Sequence, residues 1–116
     1  MRIDYDMIRN LLIKIEDISD GDTDFYLAYF YDSQGEKDRI KIRYHLKYLA
    51  DAGLIECTDT RDAIIDITPY GRNYLYSVLD ASIWEKTKKK IQPLGSVTLS
   101  TVVQVASSFI LKELGL

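Results

Sequence analysis

The stretch YHLKYLADAGLIE, Tyr44 to Glu56, constrains this chain more than any other. Ile42, Leu46 and Leu49 recur at helical spacing with His45 beside them, and Gly53 stands where a helix needs a left-handed C′ residue. Leu54 at C″ can pack back on Leu49 at C3, so the helix stops and the chain leaves in a set direction. Next come Ile55 to Thr58, the polar turn Asp59-Thr60-Arg61-Asp62, and Ala63 to Ile67, a hairpin by length and composition. Thr68 then caps another helix, with Pro69 at its favoured first position.

Upstream, Asp4 caps a first helix whose apolar stripe is Met7, Ile8, Leu11, Leu12, Ile15 and Ile18. It stops in SDGD, Ser19 to Asp22. FYLAYFY, Phe25 to Tyr31, predicts a strand with Phe25, Leu27, Tyr29 and Tyr31 on one face. Gly35 lies in a loop, and one helix runs from about Glu36 to Ala52. Downstream, Tyr70, Tyr74, Leu75, Val78 and Leu79 supply the buried stripe of the Pro69 helix. Ser82 and Glu85 form a capping box for a helix carrying Ile83, Trp84 and Ile91. Pro93 and Gly95 end it, and a last helix runs from about Leu99 to Leu114.

A chain of 116 residues with 47% apolar and 28% charged residues suits one soluble domain with its own core. The division expected is a core over about 1–80 and a helical extension over about 82–116. Fifteen Lys and Arg against eighteen Asp and Glu give a net charge of −3, which excludes a chain-wide basic surface but not a local basic face. The one cysteine, Cys57, permits no internal disulfide and no cysteine zinc cluster. The one histidine, His45, borders the apolar stripe and reads as a buried, hydrogen-bonded side chain. No nucleophilic triad or phosphate-cradling glycine loop can be assembled, so neither an enzyme, nor a metal, nor a cofactor is expected. The opening MRIDYDMIRN has no signal-peptide pattern, and the weakly polar run Val97 to Leu111 falls short of the about twenty residues a bilayer requires. The expectation is a cytoplasmic protein that makes no use of a membrane.

Helix, strand, helix, hairpin, Thr-Pro helix is the order of a winged helix-turn-helix core, α+β and mostly α, with a small antiparallel sheet and a C-terminal helical extension. DYDMIRNLLIKIE, YHLKYLADAGLIE, ITPYGRNYL, SIWEKTKKKI and GSVTLSTVVQVASSFILKELGL together resemble the family numbered twenty-five-thirteen among domains of unknown function, found in bacteria and their phages. The similarity extends over nearly the whole chain. It implies a winged-helix fold and brings neither an activity nor functional residues with it. A helix-turn-helix needs a positioning helix before its recognition helix. Here the space before Leu46 holds one helix and a short irregular turn at Ser33 to Asp38, so the positioning helix looks truncated or missing.

Wound at about 100° per residue, Lys37, Lys41, Tyr44 and Tyr48 cluster opposite the Ile42-Leu46-Leu49 stripe, with Lys47 at the edge. Lysines beside tyrosines suit phosphate and groove contacts, and Arg61 on the wing would touch the backbone. These six residues are the candidate contacts to double-stranded DNA. Asp59 and Asp62 on the wing repel phosphate, as does the acidic run Glu16, Asp17, Asp20, Asp22, Asp24. Lys88-Lys89-Lys90 reads as a solvated helix end. Tyr26, Tyr70 and Tyr74 are expected to pack their rings in the core, and Tyr76 joins Tyr44 and Tyr48 as an exposed contact. In the last helix Val102, Ala106, Phe109 and Ile110 lie on an apolar face whose opposite side is small and almost uncharged: the helix either folds back on the core alone or also pairs across a homodimer axis, and the second is expected here. Two functions are compatible with these features: a dimeric DNA-binding regulator, or an adaptor that keeps the winged fold, has lost DNA binding and holds a host or phage protein.

Overall fold

In the computed structural model, residues 1–31 and 35–116 are described. The elements in order are α1 (Tyr5–Ile18), β1 (Phe25–Tyr26), α2 (Ala28–Tyr31), α3 (Glu36–Asp51), β2 (Ile55–Cys57), β3 (Ala63–Ile67), α4 (Pro69–Val78), α5 (Ala81–Ile91), a 3₁₀ turn at Gln92–Leu94, and α6 (Leu99–Glu113). The chain forms two compact units, Ile3–Arg72 and Asn73–Leu116 with Met1–Arg2, and α4 runs through the change from one to the other.

In the first unit, Asp4 caps α1 by accepting the Met7 N–H at 3.0 Å. The buried face of α1 is Ile8, Leu11, Leu12 and Ile15, and it packs on α3 and β3. The stop of α3 is the Schellman pattern read from the sequence. The Leu54 N–H donates to the Leu49 carbonyl at 2.9 Å, the Gly53 N–H to the Ala50 carbonyl at 3.1 Å, and Gly53 has φ +81°. Leu49 and Leu54 are both fully buried. The sheet is antiparallel in the order β1-β3-β2, with Phe25 opposite Ile64 and Ile55 opposite Ile67. Its buried residues are Ile55, Ala63, Ile64 and Ile67.

The strand expected over Phe25 to Tyr31 is only two residues long, and Ala28–Tyr31 is a helical turn. The pairing ends with the Leu27 N–H donating to the Asp62 carbonyl at 3.0 Å, where the hairpin itself turns away. Beyond that point an extended chain would have unpaired backbone groups, and turning instead buries Phe30 beside Phe25, ring centroids 5.9 Å apart. Tyr29 is left exposed rather than facing inward with Phe25. A one-turn helix therefore precedes α3, where the sequence reading expects no helix. Of the irregular turn expected at Ser33 to Asp38, positions 33 and 34 lie outside the described residues, Gly35 is the N-cap of α3, and 36–38 are already helical.

Thr68 fastens the start of α4 to the end of α3. Its hydroxyl donates to the Gly53 carbonyl at 2.6 Å and accepts the Gly71 N–H at 2.9 Å, while its own N–H donates to the Leu54 carbonyl at 3.0 Å. Of the six glycines, Gly71 alone has neighbours within 4 Å of an added Cβ: it would lie 2.0 Å from the Leu54 carbonyl oxygen and 2.8 Å from Ile67 Cγ1. Because the inward positions of α4 are Gly71, Tyr74, Leu75 and Val78, the stripe expected from sequence is corrected at both ends: Tyr70 and Leu79 are exposed. Tyr26 is exposed as well, and of the three tyrosines expected in the core only Tyr74 is buried.

In the second unit α5 packs along α6. The cap of α5 is Asp80, which accepts the Ile83 N–H at 2.9 Å, and not Ser82. An acid two residues earlier starts the helix at Ala81 and places Ser82 inside its first turn, leaving Glu85 to pair with Lys88 at 3.1 Å. The buried face of α5 is Ile83, Trp84, Thr87 and Ile91, and the Thr87 hydroxyl donates to the Ile83 carbonyl at 2.8 Å, which satisfies it without water. Thr98 caps α6, whose buried residues are Leu99, Val102 and Ala106.

Two glycine substitutions separate steric from conformational requirements. Gly71→Ala should cost more than about 3 kcal/mol, since backbone atoms of the α3–β2 junction would have to move. Gly53→Ala, where a Cβ meets nothing within 4 Å but φ is positive, should cost only about 1–2 kcal/mol. Urea unfolding measures both, and equal losses would contradict the close approach at Gly71.

Candidate nucleic-acid interface

The face that α3 presents is set by His45, which is 0% exposed. Its Nε2 lies 2.8 Å from the Asp4 backbone N and its Nδ1 lies 2.8 Å from the Lys41 carbonyl oxygen. A backbone amide can only donate and a carbonyl can only accept, so the ring is the neutral Nδ1–H tautomer, receiving from Asp4 and donating to Lys41. The Asp4 carboxylate adds a second tie, accepting Lys41 Nζ at 2.7 Å with the oxygen that does not cap α1. Residues 4, 41 and 45 thus pin the N-terminus of α1 to α3. Partial burial pushes the Asp4 carboxyl up, but the Lys41 hydrogen bond, the Met7 N–H and the Lys41 charge outweigh it and hold the group below its ordinary 3.8. The hydrogen bond and charge of Asp4 hold Lys41 above its ordinary 10.5.

This clasp rotates the exposed face of α3 away from the one expected. Lys41 is half-buried and turned to Asp4, and Tyr48 is half-buried near Tyr5, Tyr70 and Tyr44, with burial holding its hydroxyl above the ordinary 10.0. Lys37, Tyr44 and Lys47 stay exposed, and they are joined by Ile40, Arg39 and Arg43. Arg39, Arg43 and Lys47 are four residues apart and form one cationic ridge. That spacing is readable in the sequence, but a face centred on Lys41 obscures it. Arg61, at the hairpin turn with φ 59°, places its guanidinium on the Asp51 carboxylate at the end of α3. Asp51 also lies 3.6 Å from Lys47 Nζ, and the Arg61 hydrogen bond holds its carboxyl below the ordinary value. Of the six candidate contacts, Lys47 and Arg61 are therefore brought together around one acid, Lys37 and Tyr44 lie along the same exposed side, and Lys41 and Tyr48 face α1 and its neighbours.

On α6, Val102 and Ala106 are 0% exposed within a single chain, so their side chains are already used in packing. Phe109 and Ile110 are half-buried, with Leu111 and Leu114 exposed just beyond them. Lys88 lies over the Trp84 ring at 5.7 Å, while Lys89 and Lys90 are exposed at the helix end. Cys57 is half-buried and burial pushes its thiol up, a positive charge at Arg61 opposing the shift. Among the described residues, no three His, Cys, Asp or Glu side chains converge as metal ligands would, and no helix is long and apolar enough to cross a membrane.

The clasp has a pH signature. Asp4 binds its proton more weakly folded than unfolded, so its stabilisation is complete above the unfolded carboxylate value and is lost as pH falls through the lower folded one. Asp4→Asn, which keeps a capping oxygen, should cost up to about 1 kcal/mol at neutral pH, the pair being partly exposed. The gap between parent and variant should close below about pH 3.8. A gap that persists in acid would show that the carboxylate charge is not its source.

No curated protein and no solved structure gives a match to the chain. One family model does: the family described as "Hypothetical protein (DUF2513)" matches residues 2–98, which include all of the Ile3–Arg72 unit, and the chain belongs to that family.

Proposed function

We propose that the Ile3–Arg72 unit is a winged-helix module of a bacterial or phage transcriptional regulator that acts in the cytoplasm and binds double-stranded DNA. In this reading α3 enters the major groove and the β2–β3 hairpin rests on the sugar-phosphate backbone. The observation that carries it is the ridge Arg39-Arg43-Lys47, with Tyr44 and Lys37 beside it and Arg61 reaching the same side from the hairpin. Arginine can read guanine edges in pairs of hydrogen bonds, and lysine suits phosphate. Asp51 holds Lys47 and Arg61 together before DNA arrives, and phosphate would have to displace it. The acids on the hairpin are engaged locally, since Asp62 accepts from the Thr58 and Thr60 hydroxyls at 3.0 and 2.6 Å.

A second proposal concerns the end of α6, where Phe109, Ile110, Leu111 and Leu114 leave apolar surface half-buried or exposed. This favours a homodimer, with contacts shifted one to two turns beyond Val102 and Ala106. A dimer would read two half-sites about 34–36 Å apart.

Retention of sheared genomic and phage DNA tests both proposals. The parent should retain discrete fragments carrying paired half-sites. Arg43→Ala/Lys47→Ala should lose them and reduce the slope of log affinity against log salt by about one, the share of the Lys47 phosphate contact, whereas Lys41→Ala should leave the slope unchanged. Phe109→Asp should halve the sedimenting mass. Equal retention by the Arg43/Lys47 variant would remove α3 as the DNA-contacting element. No retention at low salt would favour the adaptor reading, in which the same face holds a host or phage protein.

A further inference from the structure

We propose that the cleft between α3 and the β2–β3 hairpin is a binding site for a small apolar carboxylate, with Arg43 receiving the carboxylate at its mouth. The cleft has a volume of about 470 Å³, within the range of small-ligand sites. Leu27, Ala28, Leu46, Ala50 and Cys57 line it with hydrocarbon and one thiol, and Arg43, Lys47 and Arg61 also border it. It lies wholly within the Ile3–Arg72 unit.

The charges decide what fits. One acid, Asp62, is among the lining residues; it accepts from two threonine hydroxyls and keeps its charge, while Asp51 nearby is paired with Arg61 and Lys47. Arg43 forms no ion pair with any described side chain. A purely apolar occupant would gain nothing from the exposed Arg43 guanidinium beside the cleft, and a small polar anion would leave the floor unfilled. An aliphatic chain ending in one carboxylate satisfies both parts, because guanidinium binds carboxylate through two parallel hydrogen bonds. The site stands apart from the DNA reading, although an occupant would engage Arg43, one of the residues that reading assigns to DNA.

Calorimetric titration with decanoate and with decan-1-ol, in the absence of DNA, tests the assignment on the full chain. Decanoate should bind saturably at one per chain, with the alcohol about tenfold weaker. Arg43→Gln, an exposed helix position where folding is checked by circular dichroism, should lower decanoate affinity about tenfold and leave the alcohol unchanged. Lys86→Gln on α5 should alter neither. Cys57 serves as a local reporter: saturating decanoate should slow its modification by N-ethylmaleimide. Absence of saturable decanoate binding, equal affinity for the alcohol, indifference to Arg43→Gln, or unchanged Cys57 modification at saturation would each overturn the proposal.

Discussion

The interaction on which the Ile3–Arg72 unit depends is the buried His45 ring between two backbone groups, the Asp4 N–H and the Lys41 carbonyl. A buried imidazole costs stability unless both nitrogens are satisfied, and here one element supplies each partner. Asp4 then does three things: its N–H meets His45, one carboxylate oxygen caps α1, and the other holds Lys41. The start of α1 and the middle of α3 are therefore tied at one point. That tie sets the rotation of α3 about its own axis, and with it the set of cations that meets solvent.

The far end of α3 is fixed by geometry rather than charge. Gly53 reverses the chain, Leu54 returns to the core, and Gly71 lets the α4 backbone come up to the Leu54 carbonyl. Thr68 links the two with both its hydroxyl and its amide. Ser19 ties the end of α1 to β3, its hydroxyl donating to Asp66 at 2.8 Å, and Arg72 reaches the same carboxylate at 3.4 Å. The hairpin is thus carried at a set distance from α3, and the cleft between them has an apolar floor and a cationic mouth.

Local signals are legible in the sequence wherever the partners of a residue lie within a few positions of it. Asp4 as a cap, Gly53 as a helix stop, Thr68-Pro69 as a helix start and the hairpin between β2 and β3 all rest on such near partners, and a buried His45 on the apolar stripe it borders. Choices decided by pairing over distance are not legible. FYLAYFY has strand composition throughout, yet only Phe25 and Tyr26 enter the ladder, and the Leu27 N–H makes the last bond before the hairpin turns away. Ser82-x-x-Glu85 matches a capping box, but Asp80 reaches the same helix first. The candidate site is obscured in the same way. A helical wheel gives angles between residues, whereas the direction of its exposed side comes from a contact 41 residues away in sequence. Arg43 is easily overlooked on the wheel for that reason, and Lys41 looks exposed on it.

His45 is the chain's one histidine, so its ring nitrogens can be assigned without ambiguity. A long-range proton–nitrogen NMR spectrum of the folded chain at neutral pH reads the tautomer directly. A single neutral form is expected, with the proton on Nδ1 and an unprotonated Nε2. A proton on Nε2, or an average of the two tautomers, would mean that Asp4 does not donate to this ring and that the clasp setting the face of α3 does not exist.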